Sequence, residues 1–324
     1  MKNLTNKLIT NKNALIFGVS GQDGSYLAKY LIYKKYKVFG VSRKKKIIIN
    51  HKLLGINKGL RMLYLDYYNY EDIKKIIIDH NISEIYYLAG QTRPSISNSF
   101  FLETLYSNLV PVYYIIDIIL KNNKKIRFFN SSSCEIYKES KNFISEKSKK
   151  EPKNIYGLSK LISLEMVKFF REKYKLKMCT GIMFHHESIL RDKDFVLRKV
   201  AISAKQIKLN KQKHIKLGNI NISRDWGWAP EYVKLIHKMN NQKKIEDLII
   251  ATGVTVKLKS MIKKVFNYYN LNWTRHVKIE NDLLRKMDTG IIKADSKKIK
   301  KKFKWKPIYT GDDIIYNLLK NRLD

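Results

Sequence analysis

The sequence predicts an α/β fold in which a parallel sheet carries helices on both faces. Three observations lead there. Short apolar runs alternate with amphipathic helical stretches from residue 14 onward, three glycines directly follow the first run, and apolar residues make up 44% of the chain. Strand and helix in strict alternation is the pattern of a parallel sheet, whose strands are joined by crossover helices.

Each element can be justified in turn. ALIFG (14–18) is the first strand, and SYLAKYLIYKKY (25–36) carries helical periodicity. KVFGVSR (37–43) is the second strand, and a third ends at LYLDYY (63–68). EDIKKIIIDH (71–80) is helical, and EIYYLAG (84–90) is the fourth strand. The alternation continues through TLYSNLVPVYYIIDIIL (104–120), the strand KIRFFNSSS (125–133), the helix YGLSKLISLEMVKFFREKY (156–174) and the strand KMCTGIMF (177–184). Beyond that the pattern becomes irregular. FVLRKVAISAKQIKL (195–209) reads as a helix, 255–324 as short helices between polar stretches, and DLIIATG (247–253) as a strand able to return to the sheet. The expected division is a cofactor domain over 12–184, with return segments near 217–253, and a smaller, interleaved α/β substrate domain over 185–324.

At 324 residues the chain suits two modest domains or one large one with an appendage. No apolar run is long enough to span a bilayer, and the start MKNLTNKLITNKN lacks a signal-peptide core. Two cysteines, Cys134 and Cys179, make no disulfide framework, so the cytoplasm is the expected compartment. Net charge is +37, from 65 Lys and Arg against 28 Asp and Glu. The lysines are spread along the whole chain beside over-used Ile, Asn and Tyr, a pattern of compositional drift with lysine on solvated faces. RKKK (43–46) and KKIKKKFKWK (297–306) are the densest clusters. Neither a nucleic acid nor a membrane is expected as a partner, whereas an anionic small molecule such as a nucleoside diphosphate would benefit from the positive field.

Gly18, Gly21 and Gly24 stand between the first strand and the helix that follows. Glycines let the backbone approach a pyrophosphate, and a helix N-terminus supplies amide donors and a favourable dipole. In this strand–turn–helix context they predict a Rossmann-type, doubly wound dinucleotide-binding fold. The second strand ends in Ser42 and Arg43, without the carboxylate that would hold free ribose hydroxyls. That end suits a 2′-phosphate and favours NADP over NAD. Asp66 after the third strand is placed for an adenine contact, and Leu88, Ala89 and Gly90 follow the next strand where the backbone passes the cofactor.

Tyr156 and Lys160 are four residues apart on one helix face, after the strand that carries Ser133. An ammonium beside a phenol lowers the phenol pKa and makes it a base for a sugar hydroxyl. Ser133 can hydrogen-bond that hydroxyl, and Lys160 can hold the nicotinamide ribose. Glu135 adds what a simple dehydrogenase does not need. Once a carbinol carbon is oxidised, the neighbouring C–H is acidic and a carboxylate can remove its proton. A solvated loop glutamate is the alternative from sequence alone.

The segments GVSGQDGSYLA (18–28), LAGQT (88–92), SSSCEIY (131–137), YGLSK (156–160), FHHES (184–188), LGN (217–219), RDWGWAPEYV (224–233) and IATG (250–253) carry a resemblance. The chain resembles the GDP-mannose 4,6-dehydratase family of the extended short-chain dehydrogenase/reductases over nearly its whole length. That resemblance implies that Tyr156 is the base for the 4-hydroxyl with Lys160 as its partner, and that Ser133 stands where the family has Thr or Ser. It implies that Glu135 takes the C5 proton. The cofactor would meet Gly18, Ser20, Gly21, Gln22, Asp23 and Gly24, and Arg198 near a cofactor or subunit contact. Arg224 would meet a phosphate of the GDP-sugar, Arg285 and Asp288 would reach the nucleotide, and His185, Glu187 and Asn219 would line the substrate. A homodimer or homotetramer is implied as well.

Several positions depart from the family pattern. His185 replaces its usual Asn, Lys286 and Met287 replace Pro and Thr, and Asn98 and Ser99 replace Phe and Glu. Pro111 replaces a Gly inside a helix, where a kink would disturb the cofactor side. These leave open another GDP-sugar, such as a GDP-heptose, a reductase, or a non-catalytic nucleotide- or nucleic-acid-binding role. No histidine spacing matches a zinc motif, so no metal is expected. Cys134 reads as a small buried side chain, and Trp226 and Trp228 as either base-stacking or core residues.

Overall fold

The computed structural model describes residues 12–43, 45, 48–94, 97–138, 140, 142–283 and 290–320. Seven strands form its main sheet: β1 (Asn13–Phe17), β2 (Lys37–Ser42), β3 (Leu60–Tyr64), β4 (Glu84–Tyr87), β5 (Arg127–Ser133), β6 (Met178–Met183) and β7 (Leu248–Ile250). Their spatial order is β7-β6-β5-β4-β1-β2-β3, and every neighbouring pair is parallel. The chain winds outward from β1 through β2 and β3, then returns to the other side at β4. This is the doubly wound arrangement expected from the sequence. The reversal between β1 and β4 opens a crevice at the carboxyl ends of the strands.

Successive side chains of a strand face opposite sides, and β1 shows both. Ala14 and Ile16 pack beneath α1 (Gln22–Tyr33), while Leu15 and Phe17 face the opposite layer. The first layer also holds α7 (Ala229–Asn240) through Tyr232, Val233, Ile236 and Met239. The second holds α3 (Tyr70–Asp79), α4 (Phe101–Asn122) and α5 (Ile155–Tyr174), including Ile73, Ile77, Ile115, Ile119 and Val167. The short helix α2 (Ile49–Leu54) packs beside α1. Burial of both faces explains why the strands read as continuous apolar runs.

α4 continues through Pro111, which lies buried inside it. Proline cannot donate to the carbonyl four residues earlier. That carbonyl, on Ser107, instead accepts from Tyr87 Oη at 2.6 Å, so the lost helix bond is replaced from β4.

A separate apolar cluster gathers α6 (Val196–Lys208), α8 (Leu258–Tyr268) and α9 (Asp312–Lys320). Trp226 and Trp228 pack into this cluster, which settles them as core residues. Between it and the sheet run short pairs, including His186–Glu187 with Gly227–Trp228 and Ser223–Asp225 with Thr255–Lys257. Asp225 pins that junction, accepting from Thr252 N at 3.0 Å, Thr252 Oγ1 at 2.7 Å and Gly253 N at 2.6 Å. No described helix is long and apolar enough to cross a membrane.

Candidate active site

The carboxyl end of β5 carries Ser131–Ser133 into a tight turn over Cys134–Ile136, and α5 returns across it. Ser133 Oγ accepts from the Glu135 amide at 3.2 Å, which fixes the turn. Asn154 caps α5, its Oδ1 accepting from Gly157 N at 2.8 Å, and its Nδ2 donates to Glu135 Oε2 at 3.0 Å. One side chain thus closes a helix end and aims a carboxylate. Gly157 permits the contact, because a Cβ there would lie 2.4 Å from the Glu135 carbonyl oxygen.

One helical turn apart, Tyr156 and Lys160 both point into this corner and both are buried. Lys160 Nζ donates to Ser131 O at 3.0 Å and stands 5.9 Å from the Tyr156 ring centroid. Burial brings Lys160 down to about 7. Tyr156 is pushed up by burial, against a lowering hydrogen bond from Ser133. The lowered phenol expected from the Tyr–Lys spacing is therefore not a property of the resting pocket, where desolvation dominates.

At the other wall, Gly18 adopts φ +78° with its Cβ position 2.6 Å from Leu88 O, so only glycine lets the first loop touch the β4 exit. A Cβ on Gly24 would sit 2.2 Å from Gly18 O. Gly21 precedes α1 without a side-chain cap, and its own Cβ position is 3.4 Å from the nearest atom, Gly18 O. The loop therefore offers uncapped helix amides and open room, which fits the pyrophosphate of a dinucleotide. Asn50 Nδ2 steadies the loop by donating to Ser20 O at 3.0 Å.

The loop is joined to the segment after β6. His186 Nε2 lies 3.0 Å from both carboxylate oxygens of Asp23, and Nδ1 lies 2.7 Å from Phe184 O. Ser188 Oγ donates to Gln22 Oε1 at 2.7 Å. Burial alone would raise Asp23, but the attraction and hydrogen bond of His186, aided by Arg191, hold it low. Ser42 ends β2 buried, with Arg43 exposed beside it and its guanidinium 6.0 Å from the Tyr67 ring. Asp66 is exposed and accepts from Tyr68 N at 3.0 Å. Gly90, at φ +108°, leaves room for Asn108 Oδ1, which a Cβ would approach to 2.4 Å. Ala89 beside it is buried.

Glu187 is buried, its Oε2 3.9 Å from Arg191 Nε, and burial raises its carboxyl. Glu187 Oε2, Arg191 Nε and Arg198 Nη1 are all buried without a hydrogen-bond partner, a set of polar atoms suited to a ligand. Arg224 is buried and gives Nη1 to Ser223 O at 2.9 Å and Gly290 O at 3.3 Å. Asn219 Oδ1 accepts from Asn221 N at 2.8 Å. Cys134 Sγ is 3.8 Å from His185 Nδ1, although the two are 51 residues apart in sequence.

A family model described as GDP-mannose 4,6 dehydratase matches residues 15–318. The chain belongs to the GDP-mannose 4,6 dehydratase family. It is 31% identical over 310 residues to GDP-mannose 4,6 dehydratase 1 of Arabidopsis thaliana, covering 91% of this chain and 85% of that one. The Homo sapiens GDP-mannose 4,6 dehydratase is 29% identical over 338 residues, covering 94% and 90%. Among solved structures, a dTDP-glucose 4,6-dehydratase from Bacillus anthracis in complex with NAD superimposes with a TM-score of 0.83 at 15% identity, over 95% and 96% of the two chains. That likeness is one of fold.

In this GDP-mannose 4,6 dehydratase family member the sheet end brings Ser133, Glu135, Tyr156, Lys160 and His185 to one corner. Asn219 and Arg224 hold their own segments in the hydrogen bonds described above. Arg285 and Asp288, with Lys286 and Met287, lie outside the described residues. Sequence reasoning missed Asn154, although an Asn immediately before a helix is a recognisable cap signal. It also missed the Asp23–His186 contact, which joins two motifs read separately.

Proposed function

We propose that the chain is a GDP-mannose 4,6-dehydratase that uses NADP and releases a GDP-4-keto-6-deoxy-mannose. The single observation that carries the chemistry is the placing of Glu135 by Asn154 on the same turn that presents Ser133, beside Tyr156. Ser133 orients the 4-hydroxyl and Tyr156 takes its proton, with Lys160 beneath the ring. A nicotinamide held at the glycine loop would supply the hydride acceptor for C4 and the hydride donor for C6. With a carbonyl at C4, the C5 proton becomes acidic and Glu135 removes it. The same carboxyl then gives that proton to the departing C6 hydroxyl, and once C6 has gained its hydride, C5 is reprotonated with the proton that Tyr156 took from the 4-hydroxyl, so one water leaves and the sugar carries no net oxidation.

NADP is favoured by Ser42 and Arg43 at the end of β2, where 37–46 holds no carboxylate to repel a 2′-phosphate. Residues 12–184, with return segments near 217–253, would hold the cofactor, and 185–324 mainly the nucleotide sugar. Arg198, buried, and Arg191, half-buried with its Nε enclosed, are cations suited to paired anions there. The test is incubation of the purified chain with GDP-mannose and NADP, followed by mass spectrometry of the nucleotide sugar. Loss of one water without NADPH accumulation is expected. Intact GDP-mannose, or stoichiometric NADPH, would overturn the reading.

A further inference from the structure

Cys134, Glu135 and His185 bring three different donor atoms to one point. A sulfur, a carboxylate oxygen and an imidazole nitrogen lie within 4.8 Å of one another, and the sulfur is 3.8 Å from Nδ1. On a tetrahedral zinc ion, bonded at about 2.3 Å to sulfur and about 2.0 Å to nitrogen, two such ligands stand about 3.5 Å apart. Sulfur and nitrogen are already near ligand spacing, and a turn of the Glu135 side chain closes the third corner.

Two of the three residues, Glu135 and His185, are also held from outside. Asn154 Nδ2 donates to Glu135 Oε2 at 3.0 Å, the Gly227 amide donates to His185 O at 2.9 Å, and the His185 ring lies 6.3 Å from that of Trp226. Outer support of this kind orients ligands and tightens metal binding. A thiolate with an imidazole selects a borderline-soft ion over magnesium or calcium. No zinc motif is visible in the sequence because the fold, and not local spacing, assembles this set.

We propose that Cys134, Glu135 and His185 form a Zn2+ site whose occupation switches the enzyme off. Binding forms the zinc–sulfur bond and releases the thiol proton to solvent. A Glu135 oxygen bonded to zinc cannot accept the C5 proton. Binding follows from the geometry alone, whereas inhibition rests on the function proposed above.

The test uses the full chain stripped of metal and titrated with Co2+, with its absorption recorded. A near-ultraviolet thiolate-to-cobalt charge-transfer band is expected, bleached by Zn2+; no band from the folded protein overturns the site. Turnover of GDP-mannose should then fall on adding Zn2+ and recover with a chelator. Cys134→Ser should keep metal-free turnover, lose the band, and need at least roughly 100-fold more Zn2+ for half inhibition, exceeding the usual loss of an outer-shell partner. Unchanged zinc sensitivity in that variant overturns the proposal, and Cys134→Ala replaces it should the serine variant misfold. A cobalt band without GDP-mannose turnover sinks the proposed function but supports the site. Turnover without the band does the reverse.

Discussion

Replacing Lys160 by methionine should make the protein more stable and inactive, and the gain should depend on pH. The buried ammonium falls from its ordinary 10.5 to about 7. At about 1.4 kcal/mol per tenfold change, the cost of burying it is about 4 kcal/mol near pH 7. Methionine fits the same slot but leaves Ser131 O without its donor, which takes back about 1 kcal/mol. The expected gain is therefore about 3 kcal/mol near pH 7. A basic group with a depressed folded pKa binds fewer protons folded than unfolded, so its penalty is full below about pH 7 and fades as pH rises toward its unfolded value. By about pH 9 the penalty is about 2 kcal/mol, and the advantage of the variant shrinks to about 1 kcal/mol. Urea unfolding of both proteins near pH 7 and about pH 9 measures this difference. A gap of constant size, or a variant less stable than the parent at both values, refutes desolvation as the cause.

Two further outcomes follow from the same corner and a third from the end of β2. Glu135→Gln should cut dehydration by roughly 100-fold or more while hydride still leaves C4, read as slow NADPH appearance with the water retained. Asn154→Asp should keep the helix cap, with stability within about 0.5 kcal/mol, yet set a second carboxylate against Glu135, moving the acid limb of kcat upward in pH; an unchanged pH profile argues that Asn154 only caps. Arg43→Glu should raise the KM for NADP by roughly tenfold or more and leave that for NAD nearly unchanged, and equal effects on both would remove Arg43 from the 2′-phosphate site.

The sheet was legible because its strands are buried on both faces, and runs such as ALIF and EIYY announce that directly. The glycine loop was legible because close backbone approach admits no other residue at Gly18 or Gly24. What stayed hidden depends on distance in sequence. His185 reads as a substrate-lining departure from the family pattern until β6 carries it beside Cys134. The state of Tyr156 was misread for a related reason: sequence shows a neighbouring lysine but not the desolvation both groups share. Pro111 reads as a helix breaker because the hydroxyl that rescues Ser107 O comes from Tyr87, on another element.

Two buried carboxylates show where this fold is finished and where it waits for a ligand. Glu84, at the amino end of β4, accepts from Lys12, Tyr36, Tyr86 and Asn241 at 2.6–3.0 Å, and these bonds outweigh burial and hold it low. Glu187, after β6 at the carboxyl end of the sheet, has Oε2 without a hydrogen bond and is raised by burial, beside Arg191 Nε, 3.9 Å away, and Arg198 Nη1, which lack hydrogen bonds as well. A buried polar atom without a partner costs roughly 1–3 kcal/mol. Neutral amide atoms also go without hydrogen bonds at the amino end, on Asn240 and Gln242, but there the carboxylate is satisfied. After β6 it is a carboxylate and two guanidinium groups that keep such atoms, at the end where strand order reverses and a crevice opens. Binding there recovers what folding left unpaired.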